Sequence, residues 1–140
     1  MSLVYQWRKS PSRTPTWAGA LIEPAYYACE ELQTHSLGVV YARIVESVEC
    51  NFRHEFRCID GIHVVGAGFI VKGMDMHVGQ CWSIQWAYVL PEYRARGAAT
   101  PLYRKLLELA KRDGIPYSYT RRTDTGQYTM KYGGFRGPVS

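Results

Sequence analysis

The stretch Val89-Leu90-Pro91-Glu92-Tyr93-Arg94-Ala95-Arg96-Gly97-Ala98-Ala99-Thr100 decides how this chain is read. Pro91 ends an aromatic and β-branched run, and an amphipathic pattern begins at Ala98, so the stretch is a turn from strand into helix. Small residues at 95 and 97–99 let a ligand approach the backbone closely. The N–H groups of a first helical turn, at the positive end of the helix dipole, attract anions. Arg94 and Arg96 add to that field, and Pro101 sits where a missing N–H costs little. Physics alone leaves two readings: a phosphate or pyrophosphate cradle, or a tight turn with incidental arginines.

Working outward, Ala98–Asp113 reads as a helix with Leu102, Leu106, Leu109 and Ala110 on one stripe, stopped by Gly114 with Pro116 beyond. Cys81–Leu90 before it and Pro116–Arg121 after it read as strands, which makes a right-handed parallel crossover unit. Arg53–Ile59 and Ile62–Lys72 form a hairpin about Asp60-Gly61, with Gly66 and Gly68 marking a bulge or a close backbone approach and Gly73-Met74-Asp75 the next turn. Nearer the start, Leu3–Trp7 is a first strand and Pro24 to about His35 a helix begun by its proline. The run Val40–Val48 has helical spacing. At the other end Thr125–Tyr132 reads as a short helix closed by Gly133-Gly134. The expectation is one α+β domain over residues 1–140: an N-terminal strand and two helices (1–52), then the hairpin, the loop and the crossover unit (53–135).

Charge is unevenly placed along the 140 residues. Residues 1–90 sum to −1 and residues 91–140 to +6, so the basic last third favours a polyanionic partner. It carries no nucleic-acid-binding motif, and direct nucleic-acid binding is not expected. The longest uncharged run, Met76–Pro91, is broken by polar residues and falls short of a membrane span. The first residues lack the order of a secretory signal, so a cytoplasmic protein is expected. Cys50, His54, Cys58 and His63 have a spacing that could ligate zinc, but strand alternation points them outward from two extended segments; reduced thiols and no metal are expected.

The residues Val89-x-Pro91-Glu92-Tyr93-Arg94-x-Arg96-Gly97-x-Ala99 resemble the acyl-CoA pyrophosphate loop of the GNAT N-acetyltransferase superfamily, whose core is Gln/Arg-x-x-Gly-x-Gly/Ala. The helix, the next strand and Gly134-Phe135 follow in the family's order. The resemblance covers residues 53–135 and, in outline, the N-terminal third. It implies a mixed central sheet flanked by helices, acetyl-CoA as cosubstrate, and acetyl transfer to an amine. It places pantetheine against Val89 and Leu90, and the phosphates on Arg94, Ala95, Arg96, Gly97, Ala98, Ala99 and Thr100. The cofactor slot would open where strand 81–90 splays from strand 116–121.

Amine acetylation needs a base, an oxyanion donor and an acid for the departing thiolate. A backbone amide near Val89 can serve the oxyanion. Aligning Gly134-Phe135 with the family's terminal Gly-Phe puts Met130 where a catalytic tyrosine commonly stands, Thr123 at the usual asparagine and Gly126 at the usual alanine. Tyr128 and Tyr132 are the neighbouring catalytic candidates, but on a helix a two-residue offset is a rotation of about 200°. For the base, Ser83, Gln85, Tyr88, His54 and Glu55 are the polar choices. The resemblance also implies that the usual last strands are lacking, which would leave a sheet edge for a protein partner or a second copy of the chain. The alternative function is a catalytically silent binding or assembly component on this fold, such as a bacteriophage virion protein.

Overall fold

Period-two alternation builds the centre of the molecule. The computed structural model describes residues 2–123 and 125–135. Six strands lie side by side in chain order: β1 (Val4–Ser10), β2 (Arg53–Asp60), β3 (His63–Asp75), β4 (Gly79–Val89), β5 (Tyr117–Arg122) and β6 (Tyr128–Gly133). All neighbours are antiparallel except β4 and β5, the parallel pair expected of the crossover. The fold is the mixed α+β sheet that the sequence implies.

Helix α4 (Thr100–Asp113) makes that crossover and lays Leu102, Leu106, Leu109 and Ala110 on Phe56, Cys58, Val65, Ile70, Trp82 and Val89. Gly114, at φ 66°, ends the helix, and the Ile115 N–H returns to the Ala110 carbonyl at 3.1 Å. The Trp82 indole N–H then donates to Asp113 Oδ2 at 2.8 Å, tying the helix end to β4. A Cβ on Gly68 would stand 2.9 Å from Leu102 Cδ2, so the expected close approach is that of β3 to α4. The second core cluster occupies the other face, with Leu21 and Ala25 of α1 (Gly19–Ala28) on Ala67 and Tyr88. Helix α2 (Leu37–Glu49) packs beside α1, its N-terminus capped by the Ser36 hydroxyl.

Four expectations need correction. First, α1 begins at Gly19, so Pro24 lies inside it and lacks the N–H that would have met the Ala20 carbonyl. The helix ends at Ala28, and a single 3-10 turn, Glu30–Leu32, replaces its expected last turns. Second, β3 runs on to Asp75, and the turn falls at 76–78, where the Asp75 carboxylate accepts from the His77 and Val78 N–H groups. Third, α4 starts at Thr100, and Pro91–Arg94 forms a separate helical turn, α3. Fourth, residues 125–132 contain no helix. Thr123 and Gly126, at φ 81°, make a hairpin turn, and Tyr128–Gly133 pairs with β5 along its length. Among the described residues no helix is long and apolar enough to cross a membrane, and no group of three or more His, Cys, Asp and Glu is placed to hold a metal.

Candidate active site

Strand β4 is paired along one side with β3 but meets β5 only at Trp82↔Tyr117 and Ser83↔Ser118. The Trp82 N–H donates to the Pro116 carbonyl at 3.0 Å, and beyond Ser83 the two strands part. A bulge at Gln85, between Ile84 opposite Ile70 and Trp86 opposite Phe69, bends β4 just past that point. The result is a wedge between β4 and β5, the splay expected of these two strands. At its open end the Leu90 N–H is committed to the Val65 carbonyl at 2.9 Å. Antiparallel alternation therefore turns the Val89 N–H and carbonyl away from β3 and into the wedge. Arg94 Nε donates to that carbonyl at 3.0 Å, and its guanidinium lies 5.3 Å from the Tyr88 ring centre.

The bend from Arg94 to Thr100 follows directly. Gly97, at φ 72°, allows it to reverse, and the Arg96 guanidinium rests 4.9 Å from the Tyr93 ring centre. The bend is partly closed on itself. N–H groups of Arg96, Gly97 and Thr100 donate to the carbonyls of Tyr93, Arg94 and Gly97 at 3.1 to 3.3 Å, and Leu102 and Tyr103 both donate to Ala99. Turn bonds of this length leave their donors able to bifurcate toward an anion. The N–H groups of Ala98 and Ala99 have no acceptor among the described residues; Ala98 is fully buried and Ala99 half-buried, so Ala99 presents the open donor.

Across the wedge, β6 changes the reading of the tyrosines. On a strand, residues two apart share a face, so Tyr128, Met130 and Tyr132 stand in one row and the helical offset expected between them does not exist. They pair with Arg122, Thr120 and Ser118, on the α1 side of the sheet, since Tyr119 on the alternate face meets Tyr103 of α4 at 5.1 Å. Tyr132 donates to Asp75 Oδ2 at 3.0 Å, at the closed end of the wedge. Met130 lines a small cavity of about 180 Å³ with Cys81, Ser83, Ser118 and Thr120. Tyr128 lies toward the open end beside Arg122, Glu31 and Cys29; burial, then Glu31 and Cys29, push its hydroxyl above the usual value, so it holds its proton at neutral pH.

Of the polar residues expected to supply a base, most are occupied elsewhere. His54 faces the α4 side of the sheet, edge-on to Trp82 at 5.3 Å. Glu55 is buried and receives the Thr16 hydroxyl, the Trp17 N–H at 3.0 Å, Arg8 at 2.7 Å and Arg53 at 3.3 Å. Ser83 accepts from Gln85 at 3.0 Å. Tyr88 packs in the α1-side core, its hydroxyl raised above the usual value by burial. The sequence reading overlooked Glu31. The 3-10 turn carries it to β5, where Arg122 Nε meets its carboxylate at 3.0 and 3.2 Å. Had the helix continued to His35, Glu31 would have been one more charge on a solvated face.

Over this geometry, the sequence model described as "Acetyltransferase (GNAT) family" matches residues 26–130. The chain belongs to that family. No curated protein matches it significantly. Solved structures with the GNAT fold resemble it at low identity. One is a predicted acetyltransferase with acetyl-CoA from Clostridium acetobutylicum (13% identity, TM-score 0.58, 89% of this chain and 84% of that one). Another is the aminoglycoside 6'-N-acetyltransferase AAC(6')-Ih from Acinetobacter baumannii (13%, 0.55, 88% and 82%). A GNAT family acetyltransferase from Staphylococcus aureus aligns over 99% of this chain and 100% of its own (14%, 0.51). At these identities they show the shared GNAT fold alone.

Proposed function

We propose that this GNAT protein transfers an acetyl group from acetyl-CoA to an amine. The observation that carries the reading is the parting of β4 from β5 beyond Ser83 and Ser118, with the Arg94–Thr100 bend at the open end. Bound acetyl-CoA supplies an acyl group activated as a thioester. The Ala99 N–H, the turn-bonded N–H groups of Arg96, Gly97 and Thr100 and the Arg96 guanidinium suit its pyrophosphate, with Arg94, Ala95 and Ala98 shaping the bend. Val89 and Leu90 border the pantetheine arm, and the inward Val89 N–H faces the carbonyl oxygen as negative charge develops there. Glu31 takes the amine proton, loosening its hold on Arg122, and Tyr128, protonated at neutral pH, donates to the departing thiolate. The basic last third suits a cosubstrate with several phosphate charges.

Titration calorimetry with acetyl-CoA tests binding, and release of free thiol across a panel of amines tests transfer. Saturable binding with amine-dependent thiol release is the expected result; absence of acetyl-CoA binding removes the reading. One observation favours a second reading, a binding component without turnover: Met130 stands in the tyrosine row with a side chain that has no proton to give. Acetyl-CoA binding without thiol release for any amine would support it.

A further inference from the structure

The face of the sheet that carries α4 holds a separate open cavity of about 670 Å³, at the closed end of β4. Lys9, Phe52, His54, Lys72, Trp82 and Arg112 line it. His54 is only 4% exposed, yet its ring nitrogens have no hydrogen-bond partner among the described residues. Its ring is fixed by edge-on contacts with Trp82 at 5.3 Å and Phe52 at 6.2 Å. The ring nitrogens are not among the wholly buried unpartnered atoms, so they open onto the cavity, and an imidazole fixed by aromatic rings with its nitrogens on a cavity is placed to meet a polar ligand.

The charges around it give the ligand's sign. Lys9 is the strand partner of His54, and Lys72 and Arg112 lie 5.5 and 5.9 Å from the Trp82 ring centre. One carboxylate, Asp113, receives Lys72 at 3.3 Å and Arg112 at 2.9 Å, so the cavity keeps an excess of two positive charges. A metal ion would be repelled there, whereas a dianion would be matched. Burial, then Lys105, Lys9 and Arg112, against Asp113, hold the His54 imidazole below its usual value and therefore neutral, with one nitrogen free to donate and the other to accept. Phe52, 57% exposed, offers an apolar wall, and the volume exceeds what a bare ion needs. We propose that this cavity is a second binding site, for a phosphate monoester whose oxygens meet His54, Lys9 and Arg112 and whose organic body rests on Phe52.

Phenyl phosphate is the probe, added to the full-length protein with calorimetry and proton NMR of the His54 ring as readouts. Saturable binding is expected, about tenfold or more tighter than inorganic phosphate, with the His54 titration moved to higher pH on saturation. Lys9→Glu should weaken it by about tenfold or more, as loss of a charged contact requires. Lys111→Glu makes the same change in net charge on an exposed position outside the cavity and should leave binding intact. His54→Gln should weaken phenyl phosphate and inorganic phosphate alike, whereas Phe52→Ser should abolish the preference over inorganic phosphate. The proposal is overturned if millimolar phenyl phosphate leaves the His54 signals unmoved. It is equally overturned if Lys9→Glu binds as the parent does, or if Gly97→Glu abolishes probe binding, because the probe would then sit in the Arg94–Thr100 bend.

Discussion

Arg53 and Glu55 stand two residues apart on β2 and meet at 3.3 Å where neither side chain reaches solvent. Arg53 is fully buried: Nη1 donates to the carbonyls of Val48 and Asn51 and Nη2 to that of Thr14, while Nε has no hydrogen-bond partner among the described residues, so the pair joins β2 to the chain segments on either side of α1 and α2. Glu55→Gln would leave the guanidinium without a countercharge. A loss of about 3–5 kcal/mol is expected in urea unfolding, as for other broken buried pairs.

The same carboxylate sets an acid limit. Burial pushes Glu55 up, but hydrogen bonds from Thr16 and Arg8, the charge of Arg53 and the Trp17 N–H outweigh it and hold the group below its ordinary 4.5. A depressed carboxyl favours the folded state fully above the unfolded value, and that contribution fades as pH falls through the folded value. Thermal unfolding followed by circular dichroism should therefore show stability declining below about pH 4.5, with a weaker decline in Glu55→Gln.

Tyr128 and Tyr132 share a face of β6 but have different occupations. Tyr132 is held by Asp75 at the closed end, while Tyr128 stands beside Glu31 and Arg122. Tyr128→Phe should lower kcat by about a hundredfold with acetyl-CoA affinity retained, the usual scale for loss of a positioned acid. Tyr132→Phe should change kcat little. A thiol-release assay on both variants distinguishes them.

Gly97 needs its left-handed backbone. Gly97→Ala strains that conformation by about 1–2 kcal/mol and should weaken acetyl-CoA binding along with stability. Gly97→Glu adds a negative charge at the bend and should abolish the calorimetric signal. Arg94→Glu acts differently, because Arg94 holds the Val89 carbonyl and covers Tyr88: it should both weaken binding and lower the melting temperature.

Gly68 is a packing position. Its Cβ would meet Leu102 Cδ2 at 2.9 Å and Ala87 Cβ at 3.0 Å. Gly68→Ala should cost about 1–3 kcal/mol by forcing α4 away from β3, seen as a lower urea midpoint with an unchanged slope.

What could be read from the residues depended on how local the deciding interaction was. Helix α4 carries its own stripe of leucines and its own Gly114 stop, and β2–β3 turn at Asp60-Gly61, so both were legible. Strand β6 was not. Tyr128, Met130 and Tyr132 fit a strand face, but Tyr128 and Tyr132 also fit a helical pair, and only pairing with β5 decides between them. Glu31 was hidden for a related reason. Pro24 resembles a helix start, which moved the expected helix end past Glu31, whereas packing of Leu21 and Ile22 begins the helix five residues earlier. The Arg94–Thr100 bend was legible as a turn from strand into helix, but the internal turn bonds of Arg96, Gly97 and Thr100 are matters of backbone geometry that residue types do not reveal.

The junction of Trp82 and Ser83 with Tyr117 and Ser118 acts as a hinge pin for everything beyond it. Arg122 lies four residues beyond Ser118 along β5, a lever arm of roughly 13 Å, so a swing of about 5° at the pin moves it by about an ångström. Small repacking around Cys81 and Ser118, far from the mouth, is thereby magnified at Tyr128 and Glu31, and the gap between the jaws can be tuned without touching either of them.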